Sequence, residues 1–141
     1  MLGGQEFFRW DYFQTIHNYI DCEKLILRKG AVSAEAGERL IIPMNMRDGS
    51  LICIGKGNDD WNQSAPHGAG RLMSRHKAKE TLALSDYEQS MKGIFTTSVC
   101  RDTIDEAPMA YKPIEEIMEC IEDTVSIVDI IKPVYNFKAA E

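Results

Sequence analysis

Long apolar runs are missing from this chain. No stretch of its 141 residues approaches the roughly 20 apolar residues that a bilayer-spanning helix needs. No basic-then-apolar segment opens it in the manner of a secretory signal. These absences predict a cytoplasmic protein with no membrane partner. Paired cysteines are missing too. Cys22, Cys53, Cys100 and Cys120 form no C-x-x-C pair, and their spacings do not suit a zinc site. Alongside seven methionines, they read as reduced, mostly buried thiols. A net charge of −6 removes any overall attraction for nucleic acid, so such binding must come from a local basic patch. What is present is a hydrophobic content of 44%, enough for a real core and too much for a disordered chain. The length suits one domain or a piece of a larger one.

The chemistry concentrates in residues 64–75, Ser-Ala-Pro-His-Gly-Ala-Gly-Arg-Leu-Met-Ser-Arg. His67 stands beside Gly68 and Gly70, where a backbone without Cβ atoms can approach a ligand closely. From Ala69 onward the pattern reads as a helix, which would set the glycine turn at a helix N-terminus. Free N–H groups and the helix dipole favour an anion there. Arg71 and Arg75 would add fixed charge suited to phosphate oxygens. An ordinary glycine turn before a solvated basic helix is the competing reading.

Around this stretch, apolar steps over residues 7–22 predict a helix, interrupted by His17 and Asn18. Residues 24–30 read as a strand ending in a basic turn, with Arg28 and Lys29 solvated or on phosphate. Strands are expected at 39–42, stopped by Pro43, and at 51–54, with a polar loop between them. Ser85 and Glu88 suggest a capped helix that stops at Gly93. A strand over 94–99 and an acidic loop over 101–110 follow. The strongest periodicity predicts a helix from Pro113 to Ile131, with apolar Ile114, Ile117, Met118, Ile121, Val125, Val128 and Ile131 at steps of three and four. Pro133 ends it, and residues 134–138 close as a strand.

At His67-Gly-Ala-Gly-Arg71 the chain resembles the RtcB family of GTP-dependent RNA-splicing ligases. Further blocks resemble that family in the same order: His17-Asn18, Arg28 to Ala31, Pro43 to Ser50, Glu106 to Lys112 and Lys132 to Lys138. The resemblance implies an α+β fold, a mixture of short strands and helices forming the C-terminal part of an RtcB-type ligase domain over residues 1–141. It implies that His67 is the nucleophile that takes GMP from GTP as a covalent histidine–GMP. GMP then passes to an RNA 3′-phosphate, and a 5′-hydroxyl displaces it to join the ends, with 2′,3′-cyclic phosphates opened first. A neutral imidazole suits that role because it is a nucleophile available near neutral pH.

By the same resemblance, Ala69, Gly70 and Arg71 hold the nucleotide phosphates, and Asn45 and Ser50 lie in a loop that contacts GMP. Asn45 and Arg47 stand where the family has Ser and Gly, although Asn keeps hydrogen-bonding capacity. Tyr111 packs on the guanine face, Lys138 donates to guanine O6, and Asn18 lies at the nucleotide. His17 matches a manganese ligand, while the other expected manganese donors have no counterpart here. The implied cofactors are GTP and Mn²⁺, and the implied partners are RNA ends such as tRNA halves. A missing N-terminal half or a second copy of the chain is a further expected partner. The chain is expected to be inactive alone and not to form a complete independent domain. Two other readings stand beside this one: a non-catalytic nucleotide- or phosphate-binding module, and an inactive structural remnant.

Overall fold

A computed structural model describes residues 12–138. It mixes short strands with a few helices, the α+β class expected. β1 (Asn18–Asp21) and β2 (Ile26–Lys29) form an antiparallel hairpin. β3 (Ala31–Ser33) follows, then the long hairpin of β4 (Arg39–Asn45) and β5 (Gly49–Gly55). β6 (Ser64–Pro66) returns to pair with β3 and delivers the chain to His67. Next come α1 (Arg75–Thr81), α2 (Leu84–Ser90) and β7 (Phe95–Thr96). Two 3-10 turns, Arg101–Glu106 and Pro108–Ala110, lead to α3 (Ile114–Cys120). β8 (Val125–Ile131) completes a three-stranded sheet in the order β4-β5-β8, and β9 (Tyr135–Asn136) lies parallel to β7.

Alternation sets the main core. Leu40, Ile42 and Met44 of β4 and Leu51 and Cys53 of β5 are buried on one face. Val32, Ala65 and Ala69 join them, and α3 covers the cluster through Ile117, with Ile121 and Val125 just beyond it. A second cluster of Met46, Tyr87, Met91, Ile104 and Ala107 ties α2 to the 3-10 turns. The β4–β5 turn lies between the two clusters in sequence, with Met44 in one and Met46 in the other.

Several local expectations are corrected. Asn18–Asp21 is a strand where a helix was expected over residues 7–22; the part of that helix before Tyr12 lies outside the described residues. The strand wins because Tyr19 sits opposite Arg28, and its hydroxyl accepts from the Arg28 guanidinium at 2.9 Å. Arg28 is neither solvated nor at a ligand, being only 1% exposed. Pro43 does not stop β4. It pairs with Ser50 on an edge strand, where a missing N–H costs no ladder bond to a further strand.

α1 begins at Arg75 behind the Ser74 cap, not at Ala69. α2 starts behind Ala83 without a side-chain cap, so the Ser85–Glu88 box does not form, and it ends at Ser90, before Gly93. The strand expected over 94–99 shortens to Phe95–Thr96. The acidic loop is instead two 3-10 turns with Asp105 and Glu106 buried. The long C-terminal helix ends at Cys120, and its second half is β8. From Val125 on, β-branched residues dominate, and β5 takes them as its second ladder partner from Ser50↔Ile131 to Gly55↔Val125. Of the four cysteines, all free, only Cys53 is buried; Cys22, Cys100 and Cys120 are exposed. Among the described residues, no helix is long and apolar enough to cross a membrane.

Candidate active site

A cleft of about 880 Å³ opens where the β4–β5 turn, residues 67–71, Glu106, Tyr111 and the C-terminal segment meet. Its lining includes His17, Asn45, Ser50, His67, Ala69, Gly70, Arg71, Tyr111 and Lys138. Of the nucleotide, metal and catalytic residues that the resemblance implies, Asn18 is the one outside the lining. Its Oδ1 accepts the Gly30 N–H at 3.0 Å, which ties it to the cleft through Gly30.

One wall carries His67. Its Nδ1 lies 2.7 Å from the Gly30 carbonyl oxygen. A carbonyl only accepts, so Nδ1 carries the proton and, in the neutral ring, the lone pair is on Nε2. Gly30 has φ +67°, and a Cβ placed there would come within 3.5 Å of the His67 ring. That left-handed conformation aims the carbonyl at the imidazole and favours glycine. The Gly30 N–H is held in turn by the His17 carbonyl at 3.0 Å. The His17 ring stacks on His67 with centroids 4.8 Å apart and planes 8° from parallel. Behind this wall, Arg28 donates to Ser64 Oγ and to the Asn62 and Gln63 carbonyls, fastening β2 to the strand that leads into His67.

After His67 the backbone runs close under β4. The Ala69 N–H donates to the Pro43 carbonyl at 3.2 Å, and a Cβ on Gly68 would lie 3.1 Å from the same oxygen. Gly68 therefore permits the close approach that sets the following residues against the cleft floor. Arg71 is not helical; it forms an isolated bridge with Tyr111. The expected anion site at a helix start below the glycine turn is not built, because Gly70 and Ser74 are separated by three residues of irregular chain.

The opposite wall is ionic. Arg71 donates to Tyr111 Oη at 3.0 Å and to the Asp105 carbonyl, and its guanidinium stacks 4.8 Å from the Tyr111 ring centre. Arg75 reaches Asp105 at 2.6 Å and Glu106 at 2.7 Å. Tyr111 Oη donates to Glu106 Oε2 at 2.8 Å, and Lys138 Nζ lies 3.2 Å from the same oxygen. Burial pushes the Glu106 carboxyl up, but the Tyr111 hydroxyl and the Lys138 and Arg75 charges outweigh it and hold it below its ordinary value. Burial, reinforced by Glu106, pushes the Tyr111 phenol up to about 12. Arg71 and Arg75 are thus already engaged with protein acceptors.

In the β4–β5 turn the Asn45 side chain is engaged within the chain. Asn45 Oδ1 accepts from the N–H groups of Arg47 and Asp48, and its Nδ2 donates to Asp48 Oδ2 at 2.8 Å. Its amide therefore builds the turn. Arg47 pairs with Asp48 through two bonds of 2.7 and 2.9 Å, which hold the Asp48 carboxyl below its usual range. The described residues do not by themselves complete a manganese centre. Among the described residues no group of three His, Cys, Asp or Glu side chains could hold a metal ion. His17 stands alone as a donor, and His76 pairs with Glu80 on α1.

Sequence reasoning gave no individual role to Gly30 or Glu106, and it read Arg28 as solvated or on phosphate rather than buried. For Glu106 one signal existed: a carboxylate beside Ile104 and Ala107, which need burial, must be carried inward with cations. Gly30 offered only a turn glycine, because its partner is 37 residues away.

A family model described as tRNA-splicing ligase RtcB matches residues 7–139, nearly the whole chain. The chain belongs to the RtcB family. The RNA-splicing ligase RtcB of Escherichia coli K12 is 39% identical over 131 residues, covering 86% of this chain and 31% of that protein. The tRNA-splicing ligase RtcB of Aeropyrum pernix is 35% identical over 116 residues, covering 69% of this chain and 24% of that protein. The RNA-splicing ligase RtcB of Mycobacterium tuberculosis is 33% identical over 89 residues, covering 61% and 21%. The chain thus spans about a third of the length of the curated relatives it matches most fully.

Proposed function

We propose that this chain supplies the nucleotide-accepting part of an RtcB-type RNA ligase, with His67 as the nucleophile and GTP as the nucleotide substrate. The observation that carries the reading is the His67 Nδ1 contact with the Gly30 carbonyl, within one cleft that also holds Tyr111 and Lys138. Nε2 attacks the α-phosphorus; the new P–N bond replaces the bond to the β-phosphate oxygen, and pyrophosphate leaves. The proton stays on Nδ1, donated to the Gly30 carbonyl, and that hydrogen bond stabilises the charge that grows on the ring. An RNA 3′-phosphate oxygen then takes the GMP, and a 5′-hydroxyl displaces GMP as the phosphodiester closes. Tyr111 offers a face for the guanine, and Lys138 a donor for its O6.

Manganese would supply charge neutralisation to such a reaction. In this reading His17 is one donor of that site and the others come from outside the described residues, so no step here is routed through the metal. The same assignment makes residues 1–141 the C-terminal portion of a larger ligase domain. The test supplies the chain with the remaining two-thirds of a family ligase, Mn²⁺ and radiolabelled GTP. Covalent label should form on His67, vanish in His67→Ala and persist in His76→Ala. Reversible GTP binding without label would instead favour a non-catalytic nucleotide-binding module. The 141-residue chain alone should not join RNA ends.

A further inference from the structure

Glu106 has no role in the reading above, yet it is the buried centre of the base-facing wall. Its Oε2 receives the Tyr111 hydroxyl and the Lys138 ammonium, and its Oε1 receives Arg75 with Arg71 at 3.5 Å. Three donors and the Arg71 charge just beyond them already engage the group within the protein, so its acceptor capacity is spent on side chains rather than on a base. Lys138 has three ammonium hydrogens, of which Glu106 takes one.

The lysine needs such an anchor. Its side chain is a flexible four-carbon stem, and Arg71 and Arg75 surround the same carboxylate with like charge. Its backbone is already seated, because its N–H donates to Ser98 Oγ at 2.8 Å. Resting on the guanine reading given above, we propose that Glu106 is a positioning residue for base selection: it fixes the Lys138 ammonium beside the Tyr111 ring, where the lysine can meet a purine 6-oxo group. Preference for 6-oxopurines over 6-aminopurines then depends on Glu106 through Lys138, without direct contact between Glu106 and the base.

The experiment measures binding of GMP, IMP and AMP to the full 141-residue chain and to Glu106→Gln, Lys138→Ala and the double variant. Each single substitution should lower the preference for GMP over AMP by about tenfold, the worth of a charged hydrogen bond. The double variant should lose no more than either single one, since both remove the same contact. IMP should weaken in parallel with GMP, because they share O6 and differ only at the 2-amino group. Additive losses, or a loss confined to GMP, would overturn the proposal and make Glu106 a direct reader of the base. An unchanged preference in Lys138→Ala, or no nucleotide binding by the unsubstituted chain at millimolar concentration, would overturn the guanine reading itself. If Glu106→Gln does not fold, Glu106→Asp keeps the charge but withdraws the oxygens; an unaltered preference there refutes the positioning role.

Discussion

His67 and Lys138 face the same cleft, yet one is held by neutral backbone and the other by ions. The His67 wall rests on a carbonyl, a stacked ring and a hairpin fastened by Arg28, whose guanidinium takes mostly neutral oxygens, with Asp21 at 3.7 Å. The Lys138 wall rests on Glu106 and the cations around it. The difference follows from the task. A nucleophile must keep a lone pair, and a carbonyl fixes its tautomer without adding a full charge beside it. A residue that donates to a base needs its ammonium held in place, and a buried carboxylate does that. Each wall also holds a buried charge, Arg28 in one and Glu106 in the other, that cannot be removed alone without leaving orphaned partners.

The contrast can be broken most completely at the reacting atom. In ligase reconstituted with this chain, His67→Ala should abolish covalent GMP labelling, whereas Lys138→Ala should leave labelling possible at raised GTP and narrow the preference for GTP over ATP. Gel autoradiography after a GTP pulse, with ATP as competitor, reads both.

Next in size is the charge behind the histidine. Arg28→Ala should destabilise the chain by about 3 kcal/mol, because the Ser64, Asn62 and Gln63 acceptors lose a buried donor together. Arg28→Lys should recover only part of that, since one ammonium cannot reproduce the planar fork. Urea unfolding of the three proteins measures it.

Gly30→Ala is a smaller and more local change. The left-handed φ of +67° makes a side chain cost about 1 kcal/mol, and the new methyl meets the His67 ring at 3.5 Å. The expected result is a modest fall in melting temperature with a larger fall in labelling rate. Equal loss in Gly37→Ala, where a Cβ would meet nothing within 4 Å, would deny Gly30 any special tie to His67.

The ionic wall should respond to acid through Glu106. The Glu106 carboxyl lies below its ordinary value of 4.5, so its stabilisation is complete above that pH and is lost as pH falls through the lowered value. Thermal unfolding followed from pH 7 downward should fall less steeply in Glu106→Gln than in the unsubstituted chain. The smallest effect concerns the core beneath the His67 wall. Burial pushes the Cys53 thiol up to about 11, so a thiol reagent at neutral pH should modify Cys22, Cys100 and Cys120 and reach Cys53 only on unfolding. Mass spectrometry of the intact and digested protein distinguishes them.

Much of the cleft was legible before any coordinates. Tyr111 and Lys138 were singled out by the resemblance to the family, whereas the His67-Gly-Ala-Gly-Arg71 run and the paired strands around residues 45–50 depend on local composition and order, which a linear chain displays directly. So did the β4–β5 hairpin, whose alternation and turn residues are short-range signals. The errors fell where through-space partners decide. Val125 to Ile131 carries apolar steps compatible with a helix, and only the open edge of β5 makes it a strand. Tyr19 joined a helical pattern until Arg28 stood opposite it. Charge was the least legible of all. Whether Arg28 is solvated or buried depends on acceptors more than 30 residues away, and whether Glu106 is a surface acid or a hub depends on Lys138 closing the wall. Burying an ion is favourable only when its partners arrive together, and their arrival is a property of the folded chain.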